Sequence, residues 1–234
     1  PYSYYYWGFD PTYIFVLIGA VICLVASARV KSTYNKYASY RSMSGMTGAQ
    51  AAERILHSAG FYDVSVQHVS GNLTDHYNPV NKTINLSRDV YYGNSNPAAA
   101  VAAHETGHAL QHAKGYSMLK LRSTLVPAVE FASHWVQWIL LAGILMVKSF
   151  PGLLLVGIGL FAIMTLFSFV TLPVEIDASH RALAWLRNSG ITDYQTQGYA
   201  FDALKWAAYT YVIAALSSLA TLLYYIMIYL NRRD

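Results

Sequence analysis

Charge and cysteine are both scarce in this sequence. Charged residues make up 12% of the chain, against 55% for hydrophobic residues, and this balance argues against an ordinary soluble domain. The single cysteine, Cys23, excludes a disulfide framework and a zinc site built from cysteines. The formal net charge is only +4, so a nucleic-acid partner is not expected.

The apolar residues are concentrated in four long runs, at residues 12–28, 125–147, 152–172 and 207–230. A helix needs about 17–25 residues to cross a bilayer, and the third run contains no ionisable side chain. The predicted fold class is therefore mainly α: a four-span helical integral membrane protein with a small cytoplasmic α+β unit in residues 29–124. Residues 173–206 are predicted to form a second, helical loop, and residues 231–234 a basic tail.

The distribution of lysine and arginine predicts the orientation of these spans. Basic residues follow the first run, at Arg29, Lys31 and Lys36, which is typical of an uncleaved anchor with its N-terminus outside. The loops 29–122 and 173–205 hold 13 of the 16 basic residues and are expected in the cytoplasm. We therefore expect a multi-pass protein of the cell membrane. Residues 1–11 resemble an interfacial aromatic belt, through Tyr2, Tyr4, Tyr5, Tyr6, Trp7 and Phe9.

The first loop has the pattern of a small α+β unit. Thr47 and Gln50 form a capping-box pattern, which predicts a helix through residues 51–59. Residues 64–69 and 82–86 alternate like short strands, with a turn at Asn78-Pro79 between them. We expect the second strand, directly ahead of the next helix, to pair with an extended peptide by edge addition.

Residues His104 to His108 read HExxH. On a helix, histidines four residues apart lie roughly 40° apart and one turn above each other, so both can bind one zinc ion. Glu105 lies about 100° round the helix, where it can accept a proton from water instead of binding the metal. A helix is predicted over residues 97–114, because Ser95 and Pro97 favour its start and Gly115 its end.

The motif supplies two of the three protein ligands that catalytic zinc normally takes. Glu175 is the leading candidate for the third, because it follows directly after the third apolar run. Pro173 is expected to start a new helix, on which Glu175 and Ser179 share a face. Asp177 lies on another face and is expected to be solvated.

Two alternative ligands stay open. His112 extends the histidine ladder, but eight residues of helix rise about 12 Å, too far for two ligands that each lie about 2.1 Å from one ion. It is better suited to a position behind a ligand or on the surface. Glu130 lies with His134 inside the second apolar run, and an ionisable pair in a membrane segment is a functional candidate.

The HETGH motif, the hydrophobic hairpin after it and Glu175 in E-x-x-A-S resemble the membrane zinc endopeptidases of the HtpX type. The chain is more closely similar to the YugP-like putative neutral zinc metallopeptidases of bacteria, in the motifs at residues 10–13, 30–33, 73–77, 102–105 and 172–175. The resemblance implies a cytoplasm-facing peptidase site with His104, His108 and Glu175 as ligands and Glu105 as the catalyst. The HtpX-type motif has aspartate where this chain has Ser179, a position expected to orient a ligand histidine.

The predicted function is a membrane-integrated zinc metalloendopeptidase with one Zn²⁺ ion, held by ligands from both predicted loops. Its expected partners are a protein or peptide substrate, the lipid bilayer and, beyond these, membrane proteins or further copies of the chain. Peptide hydrolysis needs a donor for the oxyanion, and the candidates in the sequence are His76, Tyr77, His180 and Arg181. The alternative is a zinc-stabilised membrane scaffold or assembly subunit without turnover.

Overall fold

The computed structural model describes residues 13–42 and 44–233, with side chains described up to residue 231. The predicted aromatic belt and the basic side chains of the tail lie outside the described residues. The elements within this part are α1 (Tyr13–Tyr37), α2 (Gly48–Ser58), β1 (Ser65–Val69), β2 (His76–Asn78), β3 (Thr83–Ser87), α3 (Arg88–Tyr91), α4 (Asn96–Ala113), α5 (Ser117–Leu145), α6 (Pro151–Asn188) and α7 (Tyr194–Arg233).

Four of these helices, α1, α5, α6 and α7, are long and apolar enough to cross a membrane. Large apolar side chains on them are open to the surroundings, such as Leu24 at 71% and Trp138 at 66% exposure. Water would disfavour such surfaces, whereas the hydrocarbon core of a bilayer accepts them. The described residues are therefore mainly helical, with four candidate membrane-spanning helices, as the apolar runs predicted, and one small sheet.

The prediction that Pro173 starts a new helix is wrong. Helix α6 runs without interruption from Pro151 to Asn188 and contains Pro173 in its interior. A proline there removes one backbone hydrogen bond and costs about 3 kcal/mol. A fully buried stripe along the following turns offsets this cost: Val174, Ala178, Ala182 and Leu186. The predicted loop 173–206 is consequently the end of α6, a turn at residues 189–193 and the start of α7.

The described chain forms two compact units. The first consists of residues 26–123 and 170–211, and the second of the other described residues. In the second unit, α5 and α6 approach so closely that a Cβ atom on Gly143 would lie 2.6 Å from the Cα of Leu154. An apolar core forms around this contact and includes Val136, Leu140 and Ile158. The three clustered candidate ligands described below, His104, His108 and Glu175, belong to the first unit.

The sheet of the first unit has the order β1-β3-β2. Strand β3 pairs in parallel with β1, Ser65 opposite Thr83, and antiparallel with β2, Tyr77 opposite Ile84. The expectation that a peptide adds to the strand ahead of the HExxH helix is therefore wrong, because β3 is paired along both edges and all five of its residues are buried. Strand β2 was not predicted, since its three residues directly precede Pro79 and are too few to show an alternating pattern.

Small side chains bring α4 against its neighbours. The capping box predicted for α2 is present, with Thr47 Oγ1 accepting from the Gln50 amide at 3.3 Å. Helix α4 packs Ala99, Ala100 and Ala103 into a core with α2, and these alanines are at most 1% exposed. Close packing of backbones holds α4 rigidly in the unit. The HExxH residues therefore lie on a helix that is packed into the core of the unit.

Candidate metal centre

Helix α4 begins and ends as the sequence predicted. Ser95 caps its N-terminus by accepting from the Ala98 amide at 3.3 Å, and Gly115 turns the chain after its end with a φ of +64°. Four residues apart on this helix, the rings of His104 and His108 lie 4.8 Å apart at 87° to each other. Both rings therefore face one point beside the helix.

Glu175 of α6 joins the two histidines at that point. Its Oε2 lies 3.2 Å from His104 Nε2 and 3.5 Å from His108 Nε2, and one ligand atom of each residue lies within 4.8 Å of the others. Two ligands about 2.1 Å from a tetrahedral ion lie roughly 3.4 Å apart. Two imidazole nitrogens and a carboxylate oxygen are also a typical donor set for catalytic zinc. The residues present therefore fit a zinc ion.

The second nitrogen of each histidine is held by a polar side chain. Ser179 Oγ lies 3.1 Å from His104 Nδ1, and Gln111 Oε1 lies 3.0 Å from His108 Nδ1. The Gln111 oxygen can only accept, so His108 donates from Nδ1, and Nε2 is the nitrogen left to bind a metal. Such partners fix the orientation and tautomer of metal-binding histidines. Ser179 thus contacts the His104 ring from the position that holds aspartate in the HtpX-type motif.

Gln111 links His108 to α6. Its amide nitrogen donates to the Val174 carbonyl oxygen at 2.8 Å and to Asp177 Oδ2 at 2.7 Å. Asp177 also accepts from Arg181 Nε at 2.6 Å. The expectation that Asp177 is merely solvated is therefore wrong, because its carboxylate holds the fully buried Gln111 amide in place. The carboxylate of Asp177 thus supports His108 indirectly, through the neutral side chain of Gln111.

Gly107 sets the distance between α4 and α6. A Cβ atom at this position would lie 2.9 Å from the carbonyl oxygen and 3.2 Å from the Cα of Ala178. Both contacts are with backbone, which cannot rotate away as a side chain could. The two helices carry all three candidate ligands, so the geometry of the site depends on this close approach.

We expect Gly107→Ala to lower the free energy of unfolding by about 1–3 kcal/mol, the usual cost of overpacking, and to weaken zinc binding. Thermal unfolding in detergent and zinc titration measure the two effects. The control is Gly198→Ala, also on a helix of this unit but with no atom within 4 Å of the new methyl group. Equal behaviour of the two variants would contradict the role of Gly107.

The electrostatics of the site favour a cation. Burial alone lowers the pKa of His108, but the hydrogen bond to Glu175 and the charges of Glu105 and Glu175 outweigh it, so the pKa of His108 is raised. A raised histidine pKa means that positive charge is stabilised at this point. Glu105, which follows His104, is only 8% exposed, so this side chain is largely shielded from solvent.

The other candidates have different surroundings. Tyr77 and His112 contact each other, with the hydroxyl 3.0 Å from Nδ1, and His112 is absent from the group of clustered ligand atoms. His76 Nδ1 lies 2.8 Å from the Thr74 carbonyl oxygen. His180 is exposed, and Arg181 binds Asp177.

Glu130 belongs to the second compact unit and is likewise absent from the clustered group. Its backbone carbonyl oxygen, not its carboxylate, lies 2.6 Å from His134 Nδ1. The described contacts therefore give the pair a local role in α5.

Two side chains that the sequence did not single out reach Glu175. Arg122 Nη1 of α5 lies 3.9 Å from Glu175 Oε1. Tyr211 of α7 has its hydroxyl within hydrogen-bonding reach of Glu175 and interacts electrostatically with Glu105 as well. Neither residue belongs to a motif, and both lie far from Glu175 along the chain. Only Gln111 carried a local signal, three residues after His108 on the same helix.

The chain has a matching family and a curated relative among known proteins. Residues 12–230 match a family described as "Putative neutral zinc metallopeptidase". The "Putative membrane protease YugP" of Bacillus subtilis (strain 168) is 44% identical over 225 residues, which cover 95% of this chain and 98% of the relative. No solved structure matches the chain. The family match and the relative both confirm the resemblance drawn from the sequence motifs, and the chain belongs to the putative neutral zinc metallopeptidase family.

Proposed function

We propose that the protein is a membrane-integrated zinc metalloendopeptidase, which hydrolyses peptide bonds in protein or membrane-protein substrates. The observation that carries this proposal is the convergence of one ligand atom each from His104, His108 and Glu175 within 4.8 Å, with Glu105 beside the first ligand. Three ligands leave a fourth position open, which distinguishes catalytic zinc sites from closed structural ones. The name of the Bacillus relative, a putative membrane protease, supports the same activity.

His104, His108 and Glu175 would hold the zinc ion. Bound there, zinc supplies a Lewis acid that makes water more acidic and polarises the scissile carbonyl group. The chain itself positions the ion, since Ser179 and Gln111 keep the Nε2 atoms of both histidines turned toward it. Gln111 is in turn held by Asp177, so a rotation of the His108 ring would break several hydrogen bonds.

Glu105 is the proposed general base. It takes the proton of the attacking water and passes it to the nitrogen of the leaving amine, which gives one carboxylate both proton transfers. Tyr211 is the proposed donor to the developing oxyanion. Its hydroxyl is within hydrogen-bonding reach of Glu175 and interacts electrostatically with Glu105, which supports a role beside the proposed ion.

The substrate is proposed to lie beside β2. Within the described residues this strand pairs only with β3, and Tyr77 on it contacts His112 of α4 at 3.0 Å. An extended peptide could add to its outer edge and run beside the HExxH helix. The excess of lysine and arginine in residues 29–122 and 173–205 supports a cytoplasmic location for this unit.

Metal removal tests the proposed activity. We expect the purified full-length protein in detergent to cleave unfolded casein, to lose this activity with 1,10-phenanthroline, and to regain it when about one Zn²⁺ ion per chain is restored. Fragment analysis by mass spectrometry measures cleavage. Cleavage that survives complete zinc removal would contradict the mechanism. Full zinc loading without cleavage of casein or a panel of membrane proteins would favour the zinc-stabilised scaffold.

A further inference from the structure

The two oxygens of the Glu175 carboxylate have different ion-pair partners. Oε2 lies 3.2 Å from His104 Nε2 and 3.5 Å from His108 Nε2, whereas Oε1 lies 3.9 Å from Nη1 of Arg122. The Glu175 side chain is only 4% exposed, and that of Arg122 is 33% exposed. The charged guanidinium thus lies on the Oε1 side of the carboxylate, and the histidines contact Oε2.

The connection between α4 and α5 fixes where Arg122 lies. After α4 ends, Gly115 reverses the chain with a φ of +64° and the Tyr116 amide donates to the Gln111 carbonyl oxygen at 2.9 Å. Helix α5 starts at Ser117 and carries Arg122 in its second turn. A short, hydrogen-bonded turn therefore ties this arginine to the helix that carries both histidines.

A carboxylate can bind zinc through one oxygen or through both. Binding through both oxygens would use the coordination position that a catalytic site leaves for water. A cation on Oε1 competes with the ion for that oxygen and lowers the electron density that the carboxylate donates. Arginine suits this role because its guanidinium is always charged and its geometry is fixed.

We propose that Arg122 is a positioning residue that holds Oε1 of Glu175, so that Glu175 binds zinc through Oε2 alone and a coordination position stays open for water. This inference rests on the zinc site of the proposed function and adds how the site is kept open. Arg122 acts on the ligand and has no contact with substrate in this role.

Cobalt substitution tests the proposal without any assay of activity. Co²⁺ replaces zinc in such sites, and its visible absorption is strong when four-coordinate and weaker when five-coordinate. We expect wild-type protein to show the strong bands and Arg122→Gln to show weaker ones, because Glu175 then binds through both oxygens. Zinc affinity, measured by chelator competition, is expected to rise about tenfold or more, because the carboxylate then donates through both oxygens and a positive charge beside the site is lost.

Lys114→Gln is the matched control, since it removes one positive charge from the same α4–α5 connection at an exposed position. Arg122→Lys keeps a charge near Oε1 with another geometry, so its spectrum should lie between those of wild type and Arg122→Gln. If thermal unfolding shows that Arg122→Gln does not fold, the cobalt spectrum of Arg122→Lys still tests the proposal. Wild-type cobalt spectra and zinc affinities in both Arg122 variants would overturn the proposal. A wild-type protein that binds neither metal at His104 would overturn the proposed function as well.

Discussion

Glu105→Gln is expected to lower the rate of peptide hydrolysis by about 10²–10⁴-fold, the usual contribution of a general base. The amide has nearly the shape of the carboxylate but cannot accept a proton from water. Zinc content should stay at the wild-type level, because Glu105 is not among the three clustered ligand residues. Casein cleavage together with metal analysis measures both quantities on the same preparation.

Glu53→Gln is the control for this substitution, because Glu53 is an exposed glutamate on α2. It should leave cleavage and zinc content unchanged. If Glu105→Gln cleaves as fast as Glu53→Gln, Glu105 does not serve as the base. If neither variant nor the wild type cleaves any substrate while all bind zinc, the scaffold alternative gains support.

The largest effect on the metal is expected from Glu175→Ala. This change removes a ligand atom that lies 3.2 Å from His104 Nε2 and 3.5 Å from His108 Nε2. Zinc affinity should fall by more than the roughly 10–100-fold that follows the loss of a residue behind a ligand. Chelator competition in detergent measures the affinity, and casein cleavage should disappear at limiting zinc.

Glu130→Ala provides the matched comparison, since Glu130 was the other glutamate considered from the sequence. Its expected zinc affinity is that of the wild type, because Glu130 is absent from the clustered ligands. The opposite pattern, with zinc lost in Glu130→Ala and kept in Glu175→Ala, would identify Glu130 as the third ligand.

The sequence predicted those parts of the protein that local patterns determine. The apolar runs identified four candidate membrane helices, and Thr47 with Gln50 predicted the start of α2. The bounds of α4 followed from Ser95, Pro97 and Gly115, because capping depends on residues adjacent in the chain. The spacing of His104 and His108 placed both rings on one face for the same reason.

The parts that depend on distant residues could not be predicted in the same way. The continuation of α6 through Pro173 follows from burial of Ala178 and Ala182, which no local rule contains. Strand β2 exists because β3 is there to pair with it. Arg122 reaches Glu175 only through the packing of two helices, so its residue type alone gave no reason to select it.

The distance along the chain between the ligands has a consequence for biosynthesis. His104 and Glu175 are 71 residues apart, and at about 5–20 residues per second a ribosome needs several seconds to pass from one to the other. During that time a nascent chain already carries the complete HExxH motif but lacks its third ligand. On the proposed mechanism, proteolytic competence would begin only after α6 has been synthesised, which protects the emerging polypeptide and its neighbours from premature cleavage.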